Sequence, residues 1–240
     1  MKFIVVENYE QMSRVAADIL LDAVKADPTL TLGLATGSTP IGTYQNIIEA
    51  YKRGEVDFSR AKSFNLDEYY PLAKSNEQSY DTFMHEQLFS HINLPEESIH
   101  IPNGEAADPE AEVKAYEAAL AANGYTDVQI LGIGQNGHVG FNEPDDVLHA
   151  DTHVTGLTDN TIEANARFFE KKSDVPTKAL TMGMGSIMKS RAILLLASGK
   201  NKYDAIAALR GDEVTPRVPA TLLKLHPNVT VICDKAAYEG

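Results

Sequence analysis

Short apolar runs alternate along this chain with longer stretches in which apolar residues recur every three or four positions. The runs Phe3–Val6, Leu30–Ala35, Ala61–Leu66, Val128–Ile133, Ala192–Ala197 and Val229–Cys233 have the length of strands. Most lack polar alternation, which is the pattern of strands buried on both faces in a parallel sheet. The periodic stretches predict helices over Tyr9–Ala26, Pro40–Lys52, Ser79–Ser90, Pro109–Asn123, Asp159–Asn165 and Asn201–Leu209. In the helix from Pro109, for example, Ala111, Ala115, Ala118, Ala119 and Ala122 recur at helical spacing, with Glu110, Glu112, Lys114 and Glu117 on other faces. Strands separated by helices predict a three-layer α/β/α sandwich about a mostly parallel central sheet. No repeat, low-complexity tract or Gly-, Ser- or Pro-rich linker divides residues 1–240, which read as one domain.

Composition narrows the partners. Cys233 is the only cysteine, so no disulfide can form within the chain, and a reducing compartment is expected. The apolar run at Phe3–Val6 is too short for a signal peptide, and Ala192–Ala197 is too short to span a bilayer. These features predict a cytoplasmic protein without a membrane partner. A formal net charge of -13 argues against nucleic acid and anionic membranes. An anionic small molecule would need a few local cations and free backbone N–H groups to reverse the sign of the field.

Ligands of open α/β sheets bind beyond the carboxyl ends of the strands, so the residues that follow each strand carry the chemistry. After Ala35 comes Thr36-Gly37-Ser38-Thr39-Pro40 at the start of a helix. Such a loop offers N–H groups and the positive end of a helix dipole to a phosphate, and it also suits an ordinary Ser/Thr-capped turn. It is neither a Walker A loop nor a three-glycine dinucleotide fingerprint, which favours a small phosphorylated metabolite over a nucleotide. After Phe64 the chain reads Asn65-Leu66-Asp67-Glu68-Tyr69-Tyr70-Pro71. A partly desolvated carboxylate there can act as a general base, although turn-capping by Asp67 and a surface ion pair at Glu68 explain the same residues. Pro71 and Ser75–Ser79 suggest a loop over the site.

The segment Gly132-Ile133-Gly134-Gln135-Asn136-Gly137-His138-Val139-Gly140-Phe141-Asn142-Glu143-Pro144 is the most informative. Four glycines around one histidine contribute little to a core and imply special backbone geometry or close approach to a ligand. His138 exchanges protons near neutral pH, and Asn136 and Glu143 are the local partners that could fix its ring. Zinc is disfavoured, because no His-Glu-x-x-His spacing or nearby cysteine exists, and His149 and His153 have no strand-end placement. Downstream, Arg167 and Lys202 are candidate anion-holding cations. Lys202 follows Ser198-Gly199 at a strand-to-helix junction, where a cation in the first turn opposes the dipole.

Taken together, Leu34–Pro40, Phe64–Tyr69, Gly132–Pro144, Asn165–Phe169 and Ser198–Lys202 resemble, in this order, the glucosamine-6-phosphate deaminase family and its 6-phosphogluconolactonase relatives. The resemblance spans nearly the whole chain, and Asn-Gly-His with Phe-Asn-Glu-Pro is its specific part. It implies a Rossmann-like fold and conversion of glucosamine 6-phosphate and water to fructose 6-phosphate and ammonia, with no metal or other cofactor. It further implies that His138 opens the sugar ring, that Asp67 moves the proton between neighbouring carbons, and that Glu143 orients and tunes His138. Thr36, Gly37, Ser38, Thr39, Arg167 and Lys202 would hold the phosphate. Asn136 stands where some members have aspartate, and as an amide it can orient His138 but not stabilise an imidazolium by charge. Members regulated by N-acetylglucosamine 6-phosphate are hexamers with a basic site after the Asn-Glu-Pro motif. Here Asp145–Thr155 is acidic, so a monomer without an allosteric effector is expected. A lid is expected around Thr155–Lys178. A lactonase without need of Asp67, or a sugar-phosphate sensor without an acid–base set, are the competing readings.

Overall fold

The structure, a computed structural model, describes residues 1–157 and 175–240. The helix expected over Asp159–Asn165, the cation Arg167 and most of the expected lid lie outside the described residues. Ten strands are described: β1 (Lys2–Val6), β2 (Thr31–Leu34), β3 (Lys62–Asn65), β4 (Asp67–Tyr70), β5 (Ile99–His100), β6 (Val128–Leu131), β7 (His153–Gly156), β8 (Lys178–Thr181), β9 (Ala192–Ala197) and β10 (Val229–Asp234). The helices used below are α1 (Tyr9–Ala26), α2 (Ser38–Lys52), α3 (Tyr80–Gln87), α4 (Pro109–Ala122), α5 (Met184–Met188), α6 (Tyr203–Arg210) and α7 (Lys235–Glu239).

Seven strands form a sheet in the order β1-β10-β9-β6-β2-β3-β5, and every pairing within it is parallel. All residues of β2 and β6 are buried, as expected of central strands covered on both faces. This is the α/β sandwich that the apolar runs predict. The agreement extends to single helices. In α1, Met12, Ala16, Ala17, Leu20, Leu21 and Val24 form one buried stripe, and the Asn8 side chain caps the first turn through the Gln11 N–H.

The strand order reverses between β2 and β6. From β2 the chain moves outward to β3 and β5, then returns to β6 on the other side of β2. At such a switch point the connections leaving neighbouring strands diverge, and a crevice opens beyond the strand ends.

A second, antiparallel sheet has the order β4-β8-β7 and is not foreshadowed by the hydrophobic pattern. Leu66 joins the two sheets. Its N–H donates to the Leu34 carbonyl (3.0 Å), and its own carbonyl accepts the Met182 N–H (2.8 Å). The run through Leu66 is therefore split: β3 stays in the large sheet, and Asp67 begins β4 instead of ending the same strand.

Candidate active site

A cavity of about 710 Å3 occupies the switch-point crevice, lined by residues that follow β2, β3, β6 and β9 together with the start of α3. Each lining segment has a local reason for its position.

After β2, Gly37 adopts φ 89°, a backbone conformation that side chains disfavour, and α2 begins directly behind it without a side-chain cap. Among the described residues no side chain caps its first turn, whose N–H groups suit an anion. The helix entry is pinned from below, because the Tyr44 hydroxyl donates to the Ala35 carbonyl (2.6 Å) and the Tyr9 hydroxyl donates to the Ser38 carbonyl (3.0 Å). Thr36, Gly37 and Thr39 line the cavity, whereas Ser38 is exposed and is not among the lining residues.

Asp67 heads β4, 6% exposed, and lines the cavity. Burial, and then the neighbouring Glu68 charge, push its carboxyl up to about 8. Glu68 does not line the cavity and makes no surface ion pair among the described residues. It is buried, and its carboxylate accepts N–H groups from Tyr69 (2.8 Å), Tyr80 (2.9 Å) and Asp81 (3.0 Å). Ser79 completes the start of α3, expected at this position, by accepting the Thr82 N–H (3.0 Å), while Pro71 and Ser75–Ser79 precede it as a loop and do not line the cavity.

The glycine-rich segment after β6 lies against Asp67. Gly140 has φ 58°, and a β-carbon there would stand 3.1 Å from Thr181 Oγ1 and 3.5 Å from Asp67 Oδ2. Phe141 N–H donates to Thr181 Oγ1 (3.2 Å), and the Asn142 amide donates to the Met182 carbonyl (2.9 Å). Thr181 is also the register partner of Asp67 across β4 and β8. The small sheet thus holds Asp67 and the histidine segment together.

The His138 ring packs over the Gly134 backbone, where an added β-carbon would come within 2.4 Å of Nδ1. Nδ1 lies 3.2 Å from Glu143 Oε1, an ion-pair contact that is off the line of a good hydrogen bond. Burial raises the Glu143 carboxyl, but His138 and the Asn136 amide outweigh it and hold the group below its ordinary value. Asn136 departs from the sequence expectation. Its Nδ2 donates to Glu143 Oε2 (2.8 Å) and its Oδ1 accepts the His138 backbone N–H (3.1 Å). It therefore fixes Glu143 and the loop, not the ring directly. A side chain two residues before a histidine more readily reaches the backbone than the ring.

Beyond β9, Gly199 (φ 94°) turns the chain toward α6, and Lys202 lines the cavity. Lys202 Nζ donates to the Ile133 carbonyl (2.7 Å), and burial lowers its proton affinity. Tyr80 and Phe141 also line the cavity with nearly parallel rings, centroids 6.3 Å apart. Tyr80 escaped the sequence reading, and its only signal there was a position directly behind a Ser N-cap. Among the described residues, no group of three or more His, Cys, Asp or Glu side chains could hold a metal ion. His149 and His153 stack with centroids 4.3 Å apart, and His153 opens β7. No described helix is long and apolar enough to cross a membrane.

Residues 7–232 match the family model described as glucosamine-6-phosphate isomerases/6-phosphogluconolactonase. The chain is 54% identical to a glucosamine-6-phosphate deaminase of Thermoanaerobacter pseudethanolicus over 237 residues, covering 99% of this chain and 94% of the relative. It is 52% identical to one of Clostridioides difficile, covering 99% and 95%. A solved structure of a monomeric glucosamine-6-phosphate deaminase is similar with a TM-score of 0.95 and 43% identity, covering 99% of this chain and 98% of that one. The 6-phosphogluconolactonase from Trypanosoma cruzi has a TM-score of 0.80 at 21% identity, covering 100% and 96%, a likeness of fold alone.

Proposed function

This chain belongs to the glucosamine-6-phosphate isomerase/6-phosphogluconolactonase family, and we propose that it is a glucosamine-6-phosphate deaminase acting as a single domain. The observation that carries the reading is a pairing of acid–base groups. A buried aspartate of raised proton affinity and a carboxylate-held histidine open into one cavity under a helix N-terminus that no described side chain caps.

In this reading the phosphate lies against the Thr36–Thr39 turn and Lys202, with Arg167 as a further holder; Ser38 could contribute through its backbone N–H. Anchoring the phosphate orients the sugar and lowers the entropic part of the barrier. His138, oriented by Glu143, passes a proton to the ring oxygen and opens the ring. Asp67 removes the proton from the amine-bearing carbon and delivers it to the adjacent carbon, through an enolamine. Water then displaces ammonia, leaving fructose 6-phosphate. Asn136 takes part through Glu143.

Proton transfer between carbons is what distinguishes this reaction from lactone hydrolysis, and Asp67 is the group that suits it. The test is ammonia release from glucosamine 6-phosphate, run beside hydrolysis of 6-phosphogluconolactone, with Asp67→Asn and His138→Gln as controls. Ammonia from the wild type and none from either variant is expected. Lactone hydrolysis without ammonia would overturn the reading.

The same reading includes a cytoplasmic monomer without an allosteric effector or a nucleic-acid partner. The solved relative that is monomeric supports it, as does the acidic run Asp145–Thr155, where Asp146 already pairs with Arg217. A sigmoidal rate curve relieved by N-acetylglucosamine 6-phosphate would refute it.

A further inference from the structure

Asp67 and Glu68 are adjacent buried carboxylates on one strand, and successive side chains on a strand point to opposite faces. Asp67 faces the cavity; Glu68 does not line it and cannot touch a ligand there. A second buried carboxylate of this kind costs desolvation free energy and needs a compensating role. Its three N–H donors supply one. The Tyr69 N–H, which Glu68 Oε1 accepts, lies within β4 itself, while the Tyr80 and Asp81 donors belong to the first turn of α3.

Tyr80 is the lining residue of that turn. Its ring packs against Tyr69 (centroids 4.6 Å) and stacks with Phe141 in the histidine segment. Gly104 leaves room for this arrangement, since a β-carbon there would lie 3.2 Å from the Glu68 side chain and 2.5 Å from the Tyr69 carbonyl.

We propose that Glu68 is a positioning residue: its carboxylate ties the first turn of α3 to the strand that carries Asp67, setting Tyr80 and Asp67 in fixed relation across the cavity. The proposal rests on the reading of Asp67 as the base. The negative charge of Glu68 has a second effect on the same group, because it opposes ionisation of Asp67. The other ionisable groups around the pair are Asp81 on α3, itself paired with Lys74 (3.1 Å) and His85 (3.3 Å), Tyr69 and Tyr80, and Tyr116 on α4.

Glu68→Gln and Glu68→Asp separate reach from charge. Glutamine keeps the length, loses the charge and sets an amide N–H2 or a lone oxygen against donors that need two acceptors. Aspartate keeps the charge and falls short of α3. The pH profile of kcat/KM is measured for both, beside Asp67→Asn. In Glu68→Gln the acid limb is expected to move to lower pH by about one pH unit. In both variants kcat is expected to fall about tenfold or more as Tyr80 loses its fixed place. A folded Glu68→Gln with wild-type kcat and an unmoved acid limb would overturn the proposal.

Should both variants fail to fold, hydrogen exchange on the wild type decides. The Tyr80 and Asp81 amides are expected to exchange slowly, unlike the uncapped first-turn amides of a helix. Rapid exchange at both would equally overturn the proposal. Turnover by Asp67→Asn would instead sink the reading of Asp67 as base, whatever Glu68 does. Loss of turnover in Asp67→Asn with a wild-type Glu68→Gln would sink the Glu68 proposal alone.

Discussion

Asp67 binds its proton far more tightly than an exposed aspartate, for want of water and in the presence of Glu68. The acid limb of kcat/KM should therefore have an apparent pKa near 8 and not near 4. A limb centred near pH 4 to 5 would contradict the assignment. The same shift sets a cost in stability. Between about 4 and about 8 the folded chain binds more protons at this residue than the unfolded chain, so its contribution becomes less favourable as pH rises through that window. Asp67→Asn should thus melt higher than wild type at pH 8, with the gap closing toward pH 4, while activity falls by about 100-fold or more. Gly134 offers a steric counterpart. Gly134→Ala puts a methyl group where the His138 ring lies, and should cut kcat about 100-fold with the fold intact by circular dichroism. Asn136→Ala removes a hydrogen bond to a charged carboxylate, worth about 1.5–3 kcal/mol, and should lower kcat about tenfold or more with little change in KM. The glycines and His138 were legible from sequence as an odd composition. The direct partner of Asn136 was not, because a short amide can reach the ring, the loop backbone or Glu143, and folding alone chooses.

At the scale of elements, what was legible had a local cause. The buried stripe of α1 and its Asn8 cap lie within one stretch of chain, and the helix is found where its period predicts. The small sheet has no local cause. β4 begins with two carboxylates, and its partner β8 comes more than a hundred residues later, so pairing and not pattern makes Asp67–Tyr70 a strand. The start of α3 falls where the helical period predicts, but the Glu68 carboxylate that accepts its first-turn N–H groups comes from twelve residues earlier and has no signal in the pattern. The junction after β9 gives an element-level prediction. Lys202 is held against the Ile133 carbonyl and needs no rearrangement of the chain to face a phosphate. Lys202→Met should raise KM for glucosamine 6-phosphate about tenfold or more and lower kcat much less. Equal losses in both parameters, measured by steady-state kinetics, would instead place Lys202 in the chemical step.

For the whole molecule, charge and topology act at different ranges. A net charge of -13 repels an anionic sugar phosphate at long range, while the α2 N-terminus and Lys202 attract it only at close quarters. Raising ionic strength from about 10 to about 150 mM shortens the Debye length from roughly 30 to 8 Å, which screens the distant repulsion first. A modest rise in kcat/KM is expected over that range, and a steep fall would mean that the local cations dominate encounter. The α/β class was legible in the alternation of runs and helices, whereas the strand order was not. Order depends on which buried strands become neighbours, and several apolar runs here are nearly interchangeable in composition.

That order has a consequence for how the protein is made. β1 is translated before every other described strand, yet its sheet partner is β10, the last of them. Until β10 emerges β1 must wait, and β9 keeps an open edge that another nascent chain could join. A chain truncated before Val229 would leave both strands in that unpaired state permanently, so such truncations should accumulate as aggregates even though every cavity-lining residue is still encoded.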